Sequence, residues 1–200
     1  DYVVGQLVKI LEEENLRKNT LVVFVSDNGG QENWFPTFEY NGKHGPNDRL
    51  GDNRPLRDWK ESLYEGGIRV PALVNWPDKL KPRKVDQVMH AVDIYPTIAA
   101  LAGMSLAPEM NIEGENMWQT ILREKPLTER TLYWRTNNQY ALRKGDWKLV
   151  HTGGTLDEGR DELFDLSDDP NETRDVAKDN PEIVKSLFAE LVKQAEKDVL

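Results

Sequence analysis

The residues best suited to chemistry in this chain are Asp27 and Asn28, which follow directly after an apolar run. That run extends from Leu21 to Val25 without alternation, a pattern typical of a strand covered on both faces in a parallel sheet flanked by helices. Ligands bind at the carboxyl ends of such strands, where a carboxylate beside a carboxamide offers hard oxygen donors for Ca²⁺ or Mg²⁺. The residues alone favour the alternative, a simple Asn-Gly turn with Asp27 solvated.

A second stretch carries Lys60 and reads Asn53-Arg-Pro-Leu-Arg-Asp-Trp-Lys-Glu-Ser-Leu-Tyr-Glu-Gly-Gly-Ile-Arg-Val-Pro71. A fixed ammonium can stabilise negative charge without solvent reorganisation, although a lysine in a polar loop is commonly just solvated. We expect Glu65 and the two glycines after it to fix the return of the loop, with Glu65 accepting backbone hydrogen bonds. Arg69 is expected to pair with a carboxylate.

Together the two stretches resemble the sulfatases, within the alkaline-phosphatase-like superfamily. Ser26-Asp-Asn-Gly-Gly30 is similar to the family's later metal-binding motif. Pro55-Leu-Arg, Lys60 and Tyr64-Glu-Gly-Gly-Ile-Arg69 are similar to its lysine-bearing active-site loop. The pattern is closest to the arylsulfatase B (N-acetylgalactosamine-4-sulfatase) type. Because several ordered motifs recur over nearly the whole chain, a chance match is a poor explanation.

The resemblance implies a metal site, a catalytic lysine and a sulfated substrate. Asp27 and Asn28 would be metal ligands, with Ca²⁺ preferred over Mg²⁺, and Lys60 would contact the sulfate. The implied nucleophile is a formylglycine made from an upstream Cys or Ser in a Cys/Ser-x-Pro-x-Arg motif. The implied partner is a sulfated small molecule or glycan.

The chain lacks other parts that the resemblance requires. It has no cysteine, and none of its five serines begins the formylglycine motif. The family's paired N-terminal aspartates are also missing, so Asp27 and Asn28 are half a metal site. We therefore expect a C-terminal portion of a sulfatase that needs the N-terminal half of the same catalytic domain, and we expect these 200 residues alone to be inactive.

Composition excludes several other classes. The net charge is −9 and no basic stripe is present, which argues against nucleic-acid binding. No apolar run approaches the ~20 residues of a membrane span. The chain opens without Met, inside a predicted helix, so its own start gives no localisation. By resemblance, the protein is expected in the periplasm, outside the cell or in a lysosome.

The elements before residue 128 predict an α/β fold, and the resemblance implies the C-terminal part of an alkaline-phosphatase-like sandwich with a mostly parallel sheet flanked by helices. An amphipathic helix is predicted over residues 2–15, followed by a strand over 20–26. A short buried strand is predicted between Pro71 and Pro77, and a helix capped by Asp93 that ends at Gly103. We assign residues 1–127 to the C-terminal half of the catalytic domain.

Residues 128–200 are predicted to form a small α+β subdomain, an antiparallel sheet with a packed helix. Four short β-prone segments follow a polar boundary near 125–130. Residues 139–151 read as a hairpin around Lys144-Gly145-Asp146, and the final helix begins at Pro181 with Asn180 as its cap.

Residues 31–59 form a long polar loop, which in a compact domain is usually functional or disordered, and the resemblance implies that it lines the substrate mouth. Its aromatic residues could stack on a sugar or pack back on their own domain; they are Trp34, Phe35, Phe38 and Tyr40. His44 is expected at the surface and His90 in the core or at its rim. His151 is expected on a mobile hairpin tip, with substrate contact as the alternative.

Other functions remain open at this point. One is a phosphatase or phosphodiesterase of the same superfamily, against which the Lys60 loop argues. Others are a non-catalytic protein that binds sulfated glycans and a free-standing structural fragment.

Overall fold

The computed structural model describes residues 1–33, 38–43, 50–123 and 129–198. Its helices are α1 (Tyr2–Glu13), α2 (Glu65–Ile68), α3 (Ile94–Leu101), α4 (Trp118–Arg123) and α5 (Pro181–Ala195). Its strands are β1 (Val22–Val25), β2 (Ala72–Asn75), β3 (Thr131–Arg135), β4 (Gln139–Lys144), β5 (Trp147–Thr152) and β6 (Arg160–Asp165).

The chain divides into two compact units. The first comprises Asp1–Phe24 and Leu73–Thr128, and the second comprises Val25–Ala72 and Glu129–Leu200. The division into domains at 1–127 and 128–200 stays a prediction. No helix within the described ranges is both long and apolar enough to cross a membrane.

The first unit contains α1 and most of the paired strands β1 and β2. Helix and strands lie where they were predicted, but their expected burial is wrong. Phe24 of β1 is 50% exposed and Leu73 of β2 is 56% exposed, and α1 has no buried residue. The reason is that this sheet has only two strands among the described residues, so nothing covers these apolar side chains there.

Helix α3 was also predicted, and Asp93 stands at its N-cap position, but the Asp93 side chain makes no capping hydrogen bond to α3. A single helical turn, Ala91–Asp93, precedes α3 and has His90 as its own cap. The buried carboxylate of Asp93 instead accepts the backbone N–H of His90 at 2.7 Å and that of Glu115 at 2.9 Å. Asp93 thus joins two segments of the first unit.

The second unit is built around an antiparallel sheet in the order β3-β4-β5-β6. The predicted hairpin is confirmed: β4 and β5 pair antiparallel, with Lys144 opposite Trp147. Gly145 in the turn has φ +58°, a value that glycine adopts without steric cost.

Both faces of this sheet are buried. One face packs on α5 through a cluster consisting of Tyr140, Leu142, Leu149, Leu163, Leu187 and Leu191. The other packs on the segment before α2 through Leu63, Tyr64, Ala141, Val150, Phe164 and Leu166. The sheet therefore packs directly against the segment that follows Lys60.

Helix α5 begins at Pro181 as predicted, with Asn180 at the cap position. The Asn180 side chain nevertheless makes no capping hydrogen bond; its amide donates to the carbonyl of Val176 at 3.0 Å.

Several predictions fall on residues outside the described ranges. These are Trp34, Phe35, His44 and most of the boundary near 125–130.

Candidate active site

The turn after β1 holds Asp27 and Asn28 in a defined arrangement. The Ser26 hydroxyl donates to the carbonyl of Asn28 at 3.0 Å, and the Asn28 side-chain amide donates to the carbonyl of Gly29 at 2.8 Å. The amide nitrogen of Asn28 is thus occupied, while its Oδ1 atom has no hydrogen-bond donor among the described residues. Asp27 is exposed, and its carboxylate likewise has no described partner. Both oxygens are available to a ligand.

Glycines let this turn approach the lysine loop closely. The N–H of Gly29 donates to the carbonyl of Gly67 at 2.9 Å. A Cβ atom at Gly29 would lie only 1.8 Å from the carbonyl oxygen of Gly66. The two segments can therefore be adjacent only because neither has side chains at the contact.

Asn53 and Lys60 complete the connection through Gly30. The Asn53 side chain accepts the N–H of Gly30 at 2.7 Å and donates to the carbonyls of Gly30 at 3.3 Å and Asp58 at 3.2 Å. The N–H of Lys60 donates to the carbonyl of Gly30 at 3.0 Å. The backbone at Lys60 is thus bonded directly to the turn that carries Asp27 and Asn28.

The backbone on either side of Lys60 is strained. Asp58 has φ +68° and Glu61 has φ +77°, and left-handed backbone costs roughly 1–2 kcal/mol for a residue with a side chain. Such outliers persist where surrounding contacts enforce them, and they cluster at functional sites. The Lys60 side chain is exposed and has no described ion-pair or hydrogen-bond partner.

Arg57 and Tyr64, which flank Lys60 in sequence, bind the buried carboxylate of Glu162. The Arg57 guanidinium lies 3.3 Å from Glu162 Oε1 and 3.7 Å from the centre of the Tyr64 ring. The Tyr64 hydroxyl donates to Glu162 Oε2. Burial, together with this hydrogen bond, raises the pKa of Tyr64 to about 12. The cluster attaches the loop to β6 of the sheet.

Two of these contributions were not predicted, and one was. Nothing in the sequence marks Asn53 as a clamp, because its partners lie up to 23 residues away. Glu65 was expected to accept backbone hydrogen bonds; its carboxylate is instead bound to Lys148, 83 residues further along the chain. The expected pairing of Arg69 is confirmed, since its guanidinium lies 3.8 Å from Glu65 Oε2.

His151 does not lie on a hairpin tip, so that prediction was wrong. It is in β5 and only 3% exposed. Its Nδ1 atom lies 2.7 Å from Asp161 Oδ1, and its Nε2 atom lies 2.8 Å from the carbonyl oxygen of Thr155. The buried ring therefore anchors the glycine-containing loop that follows β5. His90 is half-buried, and its Nδ1 atom accepts the N–H of Val92.

Asp27 and Asn28 fit part of a metal site. Their free oxygens are the hard donors that Ca²⁺ and Mg²⁺ take, but a Ca²⁺ ion needs about six to eight oxygens. In the described part of the chain, no group of three or more His, Cys, Asp or Glu side chains is placed to hold a metal. These two residues could therefore supply only a share of a coordination shell.

Comparison with known proteins agrees with this geometry. A family model described as Sulfatase matches residues 1–104, and one described as N-sulphoglucosamine sulphohydrolase, C-terminal, matches residues 57–197. An N-acetylgalactosamine-6-O-sulfatase of Bacteroides thetaiotaomicron is 31% identical over 202 residues, covering 94% of this chain and 38% of the relative. Arylsulfatase A of Homo sapiens is 28% identical over 215 residues, covering 94% of this chain and 40% of the relative.

Solved structures show the same relationship. The crystal structure of Ps i-CgsB matches with a TM-score of 0.75 and 30% identity, over 96% of this chain and 40% of that one. The chain thus spans about two fifths of the length of these relatives. The fold is the C-terminal part of the alkaline-phosphatase-like α/β architecture with its small antiparallel sheet and packed helix. Since each of the two family models matches more than half of its residues, the chain belongs to the sulfatase family.

Proposed function

We propose that the complete protein containing this chain hydrolyses sulfate esters of a sulfated glycan to an alcohol and inorganic sulfate. The observation that carries the proposal is the backbone connection between the turn at Asp27 and Asn28 and the loop at Lys60. The carboxylate of Asp27, the Oδ1 atom of Asn28 and the ammonium of Lys60 have no partners among the described residues. A relative named N-acetylgalactosamine-6-O-sulfatase supports a sulfated sugar as substrate.

Each residue has a distinct role in this proposal. Asp27 and Asn28 hold the metal ion, with Ca²⁺ favoured over Mg²⁺ because Ca²⁺ accepts carboxylate and carboxamide oxygens in flexible geometries. Lys60 stabilises the negative charge that shifts between sulfate oxygens as the S–O bond breaks. In sulfatases generally, a metal ion supplies positive charge beside the sulfate and a formylglycine supplies the nucleophile. We place the protein in the periplasm, outside the cell or in a lysosome.

Turnover by the complete protein tests the proposed reaction. We expect release of inorganic sulfate from 4-nitrophenyl sulfate and from sulfated amino sugars, with no comparable release of phosphate from 4-nitrophenyl phosphate. Phosphate release without sulfate release would replace the proposal with a phosphatase. Binding of the sulfated sugars without turnover would replace it with a non-catalytic glycan-binding protein.

Replacing Asp27 tests the metal-binding role. Asp27→Ala should abolish activity and lower the Ca²⁺ content of the purified complete protein, because one of its oxygen ligands is lost. Asp179→Ala is the matched control, since Asp179 is also an exposed aspartate of the second unit. Equal Ca²⁺ content in the two variants would contradict the assignment of Asp27.

A further inference from the structure

A buried ion cluster connects the sheet to the Lys60 loop. The side chain of Lys148 in β5 is fully buried, and its Nζ atom lies 2.8 Å from Glu65 Oε1 and 2.8 Å from Glu172 Oε1. Both carboxylates are buried as well, at 5% and 0% side-chain exposure. The backbone N–H of Glu65 also donates to Glu172 Oε2 at 2.5 Å. One ammonium thus joins the sheet, the start of α2 and the turn after β6.

Such a cluster strongly favours one arrangement of these segments. A buried charge is costly unless it is paired and hydrogen-bonded, so moving any of the three side chains would leave an uncompensated charge. Burial raises the pKa of Glu172, and the adjacent ammonium of Lys148 counteracts this increase. Lys148 contacts both buried carboxylates, whereas the exposed Arg69 lies 3.8 Å from Glu65 alone.

The cluster acts on the loop through the residues immediately after Glu65. The N–H of Gly66 donates to the carbonyl of Arg57 at 2.7 Å, at the beginning of the segment that carries Lys60. A Cβ atom at Gly67 would lie 2.0 Å from the carbonyl oxygen of Ser62 and 2.6 Å from that of Trp59. A displacement of Glu65 would therefore be transmitted to both sides of Lys60.

We propose that Lys148 is a positioning residue for Lys60: its buried ammonium fixes Glu65, and α2 then holds the strained loop in place. Lys60 needs this support because its own side chain has no described partner and its neighbours Asp58 and Glu61 are in left-handed backbone. Lys148 itself does not touch the substrate. The inference rests on the proposed sulfatase function.

A double-mutant cycle in the complete enzyme tests the inference. Lys148→Met should lower kcat/KM for a sulfate ester by about 10–10²-fold, because small misplacements far from the reacting atoms have effects of this size. In the Lys60→Ala background the same substitution should lower kcat/KM by less than about threefold, because the group it positions is already gone. If Lys148→Met lowers kcat/KM by the same factor in both backgrounds, the proposal is overturned and Lys148 has a purely structural role.

Two further measurements keep the test decisive. If Lys148→Met does not fold, Lys148→Met combined with Glu172→Gln takes its place in the cycle, since this pair leaves the net charge of the cluster unchanged. Amide hydrogen exchange then measures the stability of the loop without substrate. The backbone N–H of Lys60 should exchange faster in the variant than in the wild type, while the exchange rates in α5 should be unchanged. Unchanged exchange at Lys60 would overturn the positioning role, whereas wild-type protein that never hydrolyses sulfate esters would overturn only the proposed function.

Discussion

The close contact at Gly29 can be tested by adding a single methyl group. In Gly29→Ala the new Cβ atom would lie 1.8 Å from the carbonyl oxygen of Gly66, whereas real Cβ contacts under 3.0 Å are essentially absent. The two backbone segments must therefore separate by about 1.2 Å. This movement also weakens the 2.9 Å hydrogen bond from the Gly29 N–H to the carbonyl of Gly67. Overpacking and the weakened hydrogen bond together should destabilise the protein by about 2–4 kcal/mol.

Urea unfolding of the complete protein, followed by tryptophan fluorescence, measures this effect. Gly5→Ala is the control, because a Cβ atom there meets nothing within 4 Å. Gly5 lies inside α1, so this substitution should stabilise the helix by about 0.5–1 kcal/mol. A free energy of unfolding for Gly29→Ala within about 0.5 kcal/mol of the wild type would refute the packing argument.

Two further predictions concern the groups that support the loop. Tyr64→Phe removes the hydroxyl that donates to the buried carboxylate of Glu162, so the free energy of unfolding in urea should fall by about 1–3 kcal/mol; an unchanged value would contradict this. Burial raises the pKa of Glu172 above 4.5 in the folded protein, so its contribution to stability is present below that pH and is lost as the pH rises through the folded value. In urea titrations, the free energy of unfolding of Glu172→Gln should therefore rise relative to that of the wild type as the pH increases from 4 to 8. A difference in free energy that does not change with pH would contradict the raised pKa of Glu172.

The sequence predicted the hairpin and the last helix of the second unit well because their signals are local. The hairpin depends on Gly145 in a tight turn between two short β-prone segments, and α5 depends on Pro181 and an apolar stripe. These features involve neighbouring residues, so they can be read without knowing what packs on them. The lack of a side-chain cap at Asn180 was not predictable, because its amide is bound to Val176 in the preceding turn.

The support of the candidate site could not be predicted, because it depends on contacts distant in sequence. Alternation along β5 places Lys148 on the opposite face from Leu149, where a lysine ordinarily meets solvent. It is buried because the segment at Leu63 and Tyr64 covers that face. Residue type alone marked Asp27 and Asn28 as oxygen donors, whereas their lack of hydrogen-bond partners and the clamp at Asn53 required the fold.

The rate effect of Lys60→Ala tests the central claim most directly. In the complete enzyme, loss of this ammonium should lower the rate of sulfate-ester hydrolysis by about 10²–10³-fold, with an unchanged free energy of unfolding because the side chain is exposed. Lys185→Ala, at another exposed lysine of the second unit, should keep the wild-type rate. A full rate in Lys60→Ala would contradict the claim that this loop forms the sulfate site.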